Sequence, residues 1–320
     1  MANTDFSLDG ELLAIVDIGS NGVRMNVYSI SADGSYSVID SSRSMLKLVS
    51  YINDGVLSRD GEGKLLTVMR EYLARANAYP CDRFTAFATA SLRNISNSES
   101  VLGRIKRTLG VDIEIISGES EAMYDYVSVK KRFGLTESDR FVICDMGGGS
   151  TEFIAYNGED VSLCSLPLGA LHLWKLFVDK SSGTPYPSEQ ECRRIAEYVR
   201  SELMGASGLD GFGGTIYLIG GTARVMCRVD ADAKGLTEAS DGYRLCAEDF
   251  LAAVNALIVD SRGDGSLISR ICPDRKTSVV SGAVAFGEII RHLGVSDVVL
   301  SLAGVREGYV SECVIKKMHS

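Results

Sequence analysis

The sequence predicts an α/β fold with mixed sheets, built from two similar domains. Short apolar runs alternate with segments of helical periodicity along most of the chain. One strand, glycine turn, strand pattern also occurs in each half, at LLAIVDIGSNG (12–22) and at RFVICDMGGGS (140–150), and an apolar run follows each. Each copy predicts a β-hairpin with an acid, Asp17 or Asp145, at its bend. Because the unit recurs, we expect two similar domains that face each other.

Periodicity predicts the remaining elements. Apolar residues that recur every three to four positions indicate helices, and short apolar runs indicate strands. Helices are expected at 63–78, 98–110, 121–133, 188–204, 247–259 and 278–294, and strands at 83–91, 111–117, 215–221 and 296–302.

Composition excludes several classes of function. The chain has 320 residues and a net charge of −9, which disfavours nonspecific nucleic-acid binding but allows a local basic site for a small anion. None of the 8 cysteines has C-x-x-C spacing, and the 3 histidines are far apart, so any metal should be a hard cation held by carboxylates and phosphates. An acidic N-terminus and the lack of a long apolar run predict a cytoplasmic protein without a membrane partner.

Three glycine loops follow strands. Glycines followed by hydroxyls offer backbone N–H groups and short donors, which phosphate oxygens need, although each loop alone could be a structural turn. There is no G-x-x-x-x-G-K-[ST] and no G-x-S-x-G, and the triglycine loop leads into an apolar strand. A P-loop, a dinucleotide site and an α/β-hydrolase are therefore not supported. The loops are Gly19-Ser20-Asn21, Gly147-Gly148-Gly149-Ser150-Thr151 and Gly220-Gly221-Thr222.

Seven ordered blocks across residues 13–310 resemble the exopolyphosphatase/guanosine pentaphosphate phosphohydrolase family of the actin-like ATPase superfamily. They are AIVDIGSNGVRMNV (14–27), ATASLRNISN (88–97), IEIISGESEA (113–122), VICDMGGGSTEF (142–153), SLPLGALHL (165–173), LIGGTARV (218–225) and LAGVREGYV (302–310). The resemblance implies two actin-like (ribonuclease H-like) domains, 1–124 with 305–320 and 125–304, around a cleft. It also implies a short form without the C-terminal HD-type extension.

The resemblance further implies a Mg²⁺-dependent (or Mn²⁺-dependent) hydrolase that releases terminal orthophosphate from inorganic polyphosphate. Glu121 would be the general base, and the metal would be held by Asp145, Glu152 and Asp17. Phosphate would be bound by the three glycine loops and by Arg24, Arg93 and Arg275. From the residues alone, Glu121 could equally be an acid in a first helical turn, Asp17 a turn residue and Arg24 a solvated strand residue.

Other functions stay open at this point. Guanosine pentaphosphate is an alternative substrate. An actin-like ATPase, a sugar kinase or a non-catalytic sensor of polyphosphate or alarmone are alternatives of another class. The family usually has Ser or Thr where Gly22 stands, and a consecutive acid pair is more common where Glu119-Ser120-Glu121 stands. Homodimers are common in the family, so a homodimer is also open.

Overall fold

The computed structural model describes residues 10–206 and 208–315. Within them the chain divides into two compact units, Met1–Ser117 and Gly118–Ser320. The predicted α/β class with mixed sheets is confirmed, because each unit contains one large sheet of parallel and antiparallel strands with helices around it. The predicted domain ranges stay a prediction, since compact units and the domains of a fold need not coincide.

The first unit is built on a sheet with the strand order β3-β2-β1-β6-β7. The first three of these strands along the chain are antiparallel, and β6 and β7 continue the sheet in parallel beside β1. A two-stranded sheet, β4-β5, lies outside it. The strands are β1 (Glu11–Ile18), β2 (Val23–Ile30), β3 (Tyr36–Ser44), β4 (Ile52–Asn53), β5 (Val56–Leu57), β6 (Arg83–Ala88) and β7 (Ile113–Ile115).

The second unit repeats this plan with the strand order β10-β9-β8-β11-β13-β12. Again three consecutive strands are antiparallel, and β11 and β13 continue in parallel beside the first of them. The short strand β12 closes the edge in the antiparallel sense. The strands are β8 (Phe141–Met146), β9 (Thr151–Tyr156), β10 (Val161–Leu166), β11 (Thr215–Ile219), β12 (Arg244–Cys246) and β13 (Asp297–Leu300).

Every helix predicted from periodicity is present, and several short ones are added. The first predicted helix begins earlier, at Arg59, because the Ser58 side chain caps it by accepting a hydrogen bond from the Gly61 N–H at 3.2 Å. The helices are α1 (Arg59–Ala76), α2 (Ala90–Arg93), α3 (Ser98–Leu109), α4 (Gly118–Phe133), α5 (Ala170–Phe177), α6 (Glu189–Met204), α7 (Gly221–Ala233), α8 (Ala247–Arg262), α9 (Ser266–Ile271), α10 (Val279–Leu293) and α11 (Val305–Tyr309).

Each unit has its own core. In the first, apolar residues of β1 and β2 pack with Leu65 and Met69 of α1 and Ile105 of α3. In the second, one core lies under α6, α7, α8 and α10, and a smaller aromatic cluster joins α4 to β8, β9 and β11. These buried surfaces fix the strand ends where the glycine loops lie. Within 10–206 and 208–315, each helix is too short or too polar to span a bilayer.

Candidate active site

Both predicted glycine hairpins form, and they turn in the same way. In the first, the Gly19 N–H donates to the Gly22 carbonyl at 3.1 Å, and in the second the Gly147 N–H donates to the Ser150 carbonyl at 3.0 Å. The strands on either side are antiparallel without a bulge, as β1 with β2 and β8 with β9. The repeat seen in the sequence is therefore a repeat of backbone geometry.

The second hairpin places two acids side by side. Asp145 lies directly opposite Glu152 in the register of β8 and β9, so both side chains point to the same face of the sheet. Glu152 is buried, and its Oε1 accepts hydrogen bonds from the hydroxyls of Ser150 at 2.7 Å and Ser165 at 2.8 Å. These two donors hold the Glu152 carboxylate in one orientation.

The triglycine loop is held from one side by the start of α5. The Gly147 carbonyl accepts from the Ala170 N–H at 3.1 Å, and the Gly148 carbonyl accepts from the next two N–H groups of α5 at 3.0 and 2.9 Å. The C=O and N–H of one trans peptide point in opposite directions. The N–H groups of Gly148 and Gly149 therefore point away from α5, as donors for an anion would have to.

The same packing requires a glycine just before α5. Gly169 lies so close to the triglycine loop that a Cβ there would overlap the backbone of Gly148 and Gly149. A side chain at Gly169 would therefore separate α5 from the loop. Glycine at this position allows the two backbone segments to approach closely.

The third glycine loop reaches the same place. β11 is the parallel neighbour of β8, with Ile219 in register with Asp145. The next residue, Gly220, has φ of 100°, and a Cβ there would lie 2.6 Å from the Met146 carbonyl and 3.0 Å from Asp145 Oδ1. Only glycine fits this left-handed, crowded position. The loop after β11 is therefore in contact with the end of β8.

The side chain of an arginine packs against the start of α7. The guanidinium of Arg275 occupies the space that a side chain on Gly221 would need. Arg275 follows α9 in a short 3₁₀ turn, Pro273–Arg275. A guanidinium and the first N–H groups of a helix both favour an anion at this point.

Helix α4 brings two further acids. Glu121 lies in its first turn and is 7% exposed, and Asp125, one turn later on the same face, is fully buried. The pKa of Asp125 is raised well above its ordinary value. Burial is the main cause, followed by the charges of neighbouring acids, in decreasing order Asp145, Glu121, Glu152 and Glu307. We call Glu121, Asp125, Asp145 and Glu152 the acid cluster.

The whole chain was then compared with known proteins. The model of the Ppx/GppA phosphatase family matches residues 27–317. The chain belongs to the Ppx/GppA phosphatase family. This confirms the resemblance seen in the sequence blocks, and it confirms the expected enzyme class, a hydrolase, at the level of the family.

Named relatives and solved structures agree with the Ppx/GppA assignment. The chain is 25% identical over 303 residues to exopolyphosphatase 1 of Mycobacterium tuberculosis, covering 93% of this chain and 87% of that protein. It is 26% identical over 307 residues to the Mycobacterium leprae protein of the same name, covering 93% and 88%. The crystal structure of the Aquifex aeolicus Ppx/GppA family member matches with a TM-score of 0.75 at 26% identity, covering 97% and 99%. An exopolyphosphatase from Cytophaga hutchinsonii shares the fold, with a TM-score of 0.83 at 18% identity, covering 96% and 98%.

The second unit of this Ppx/GppA chain gathers most of the predicted site residues. Glu121, Asp145 and Glu152 belong to the acid cluster, and two glycine loops and Arg275 lie beside it. Two predicted hydroxyl donors are buried: Thr222, and Thr151, whose hydroxyl donates to the Leu168 carbonyl at 3.1 Å.

The first unit holds the other predicted site residues. Asp17 lies directly opposite Arg24 in the register of β1 and β2. The carbonyls of Ser20 and Asn21 accept from the N–H groups of Val49 and Lys47, at 3.3 and 2.9 Å. Arg93 ends α2, and its guanidinium donates to the Ile116 carbonyl at 2.9 Å. The Ser91 hydroxyl donates to the Ile18 carbonyl at 3.0 Å, which ties α2 to the end of β1.

Two residues of the site were missed from the sequence. Asp125 was absent from the predictions, although its spacing of one helical turn from Glu121 could have indicated it. Ser165 could not be found in this way, because its contact with Glu152 depends on the pairing of β10 with β9. The pattern along each strand does not fix the register between them.

Proposed function

We propose that the chain is a metal-dependent exopolyphosphatase that releases terminal orthophosphate from inorganic polyphosphate. The single observation that carries the proposal is the braced triglycine loop, whose Gly148 and Gly149 N–H groups point away from α5 beside the acids of β8 and β9. The names of the mycobacterial relatives support polyphosphate as the substrate class.

The residues present fit a hard divalent cation. Among residues 10–206 and 208–315, no three His, Cys, Asp or Glu side chains are arranged to hold a metal by themselves. Mg²⁺ does not need such a cage, since it usually takes one or two carboxylates, several waters and the substrate phosphates. The acid cluster supplies oxygen ligands only, and the fully buried Asp125 has no hydrogen-bond partner among the described residues. We assign Asp145 and Glu152 to the metal, which as Mg²⁺ or Mn²⁺ would neutralise phosphate charge there, and the role of Asp17 stays a prediction from the resemblance.

The chain's own residues then have distinct roles. The N–H groups of Gly148 and Gly149, with the loop Gly220–Thr222 and Arg275, bind the oxygens of the terminal phosphoryl group. In the first unit, the proposed phosphate-binding residues are Gly19, Ser20, Asn21, Arg24 and Arg93.

Glu121 is the proposed general base. Its carboxylate takes the proton from the water that attacks the terminal phosphorus, and the bridging oxygen leaves with the shortened chain. Glu121 is 7% exposed and lies in the first turn of α4, one turn before Asp125 on the same face.

Phosphate release by the purified chain tests the proposal. We expect Mg²⁺- or Mn²⁺-dependent release of orthophosphate from polyphosphate, and a loss of about 100-fold or more in kcat for Glu121→Gln. Short polyphosphate, long polyphosphate and guanosine pentaphosphate are compared side by side. Release from guanosine pentaphosphate alone would assign the alternative substrate. No release from any of them, with either metal, would contradict an enzyme and favour a binding protein for these phosphates.

A further inference from the structure

Asp125 is an unusual buried acid. Its side chain is 0% exposed, and neither carboxylate oxygen has a hydrogen-bond partner among the described residues. Buried carboxylates normally find a donor or a cation, because an unpaired buried charge is costly. The buried, unpartnered carboxylate of Asp125 is therefore a candidate ligand for a cation.

The charged groups that act most strongly on Asp125 do not offset its negative charge. The charges that act on it most strongly are Asp145, Glu121, Glu152 and Glu307, which are all acidic. A Cβ on Gly304 would lie 3.4 Å from Asp125 Oδ1, so the bare backbone of the turn before α11 approaches the carboxylate. Glu307 accepts from the Gly304 N–H at 3.0 Å, which holds this turn in place.

Asp125 lies near the carboxyl end of β8, where Asp145 is located. A Cβ on Gly304 would lie 3.2 Å from Ile219 Cγ2 of β11, and Ile219 is the register partner of Asp145 in β8. Neighbouring strands are about 5 Å apart, so a short path leads from Asp125 past Gly304 and Ile219 to Asp145. Asp145 is also the acid that acts on Asp125 most strongly.

We propose that Asp125 binds the divalent cation together with Asp145, so that the cation and its waters pair the two unpartnered oxygens of Asp125. This inference rests on the proposed metal dependence and adds a ligand that the resemblance did not imply. Carboxylates, waters and substrate phosphate match the preference of Mg²⁺ and Mn²⁺ for oxygen ligands. The acid at this point of α4 then explains why an otherwise unpaired charge is buried there.

A neutral Asp125 is the competing account. A protonated carboxyl would remove the repulsion from the other acids without a cation. That account predicts that Asn, a neutral side chain of the same shape, replaces Asp125 without any effect on metal binding. Metal binding therefore separates the two accounts.

The test measures Mn²⁺ binding by the electron paramagnetic resonance signal of free Mn²⁺, with Mn²⁺ alone and with inorganic phosphate added. We expect Asp125→Asn and Asp125→Ala to weaken Mn²⁺ binding by about tenfold or more. In metal-free buffer, Asp125→Asn should unfold at the same temperature as the wild type or higher, and Mn²⁺ should raise its unfolding temperature less. A residue with a purely structural role would lower the unfolding temperature and leave Mn²⁺ affinity unchanged.

Asp230→Asn is the matched control. Asp230 is also a buried acid on a helix of the second unit, but it is paired with the Tyr243 hydroxyl at 2.7 Å and with Lys234 at 3.0 Å. Its loss should lower the unfolding temperature and leave Mn²⁺ affinity unchanged. The pairing explains why the two acids should behave in opposite ways.

Equal Mn²⁺ affinity in the wild type and both Asp125 variants would overturn the inference, as would the absence of Mn²⁺ binding by the wild type in both conditions. The phosphate-release assay separates the two proposals. Turnover by the wild type with unchanged Mn²⁺ binding in the Asp125 variants would leave the function standing and remove the ligand. If the variants lose Mn²⁺ binding but the wild type turns over no substrate, Asp125 would stand as a metal ligand and the proposed function would be removed.

Discussion

In the first hairpin Asp17 lies opposite Arg24, whereas in the second Asp145 lies opposite Glu152. The backbones of the two hairpins are otherwise alike. Both turns close with the same hydrogen bond, and both loops have their carbonyls held by N–H groups of a later segment. One backbone plan therefore occurs twice, with a neutral pair in the first hairpin and two acids in the second.

This difference indicates a division of work. An acid opposite an arginine is an oppositely charged pair, which stabilises a sheet and leaves no net charge to attract a metal. An acid opposite another acid repels it, and a bound cation or a proton relieves that repulsion. The second hairpin is therefore the better candidate for the cation, and the first for phosphates that Arg24 can reach.

Neutralising the residue opposite each acid should give the largest contrast. Glu152→Gln keeps the acceptor for Ser150 and Ser165 but removes a charge, so we expect kcat for phosphate release to fall by about 100-fold. Arg24→Gln should mainly raise KM for polyphosphate, by about tenfold, because it removes a charged hydrogen bond to substrate. Steady-state kinetics at saturating Mg²⁺ gives both numbers. Equal effects of the two changes on kcat would contradict the assignment of the cation to the second hairpin and of phosphates to the first.

The bracing of the second loop gives the next effect in size. Gly169 has φ of −66°, which alanine adopts readily, so Gly169→Ala acts only through overlap of its Cβ with the triglycine backbone. We expect a loss of about 1–3 kcal/mol in the free energy of unfolding, together with weaker phosphate binding, measured by thermal unfolding with and without phosphate. Gly63→Ala in α1 is the control, since nothing lies within 4 Å of its Cβ. It should be neutral or stabilising, and a destabilised Gly63→Ala with an unaffected Gly169→Ala would contradict the packing argument.

The smallest effect concerns the last loop residue, Gly22 in the first hairpin and Ser150 in the second. A Cβ on Gly22 would lie 2.9 Å from the Ser44 carbonyl of β3, so Gly22→Ser should destabilise by about 1 kcal/mol although Ser is usual there in the family. Ser150→Ala should cost a similar amount, about 1 kcal/mol, because Glu152 loses a donor. Urea denaturation measures both changes. A more stable Gly22→Ser would mean that β3 shifts to accommodate the new side chain without a loss of stability.

Much of the fold follows from the sequence because it depends on local patterns. Alternating periodicity gave the central helices, and a glycine turn between apolar runs gave both hairpins. Helices α5 and α7 were missed, since α5 is a short helix after Pro167 and Gly169, and α7 starts inside a glycine loop. Their starts are fixed by tertiary contacts rather than by capping residues.

The site shows the same limit. The facing of Asp145 and Glu152 could not be predicted, because alternation along one strand says nothing about register across a turn. The burial of Asp125 was also beyond the sequence, since an acid on an amphipathic helix usually faces water. Both facts depend on strand pairing and on the approach of Gly304, which no local pattern contains.

The central claim is that the acids of the second hairpin, rather than those of the first, hold the cation for phosphate release. The most direct test is the initial rate of orthophosphate release from polyphosphate as Mg²⁺ is added back to metal-free protein, for wild type, Asp145→Asn and Asp17→Asn. We expect saturable activation of the wild type, a half-saturating Mg²⁺ concentration about tenfold higher or more for Asp145→Asn, and little change for Asp17→Asn. Release that does not depend on Mg²⁺, or an equal shift in both variants, would contradict the claim.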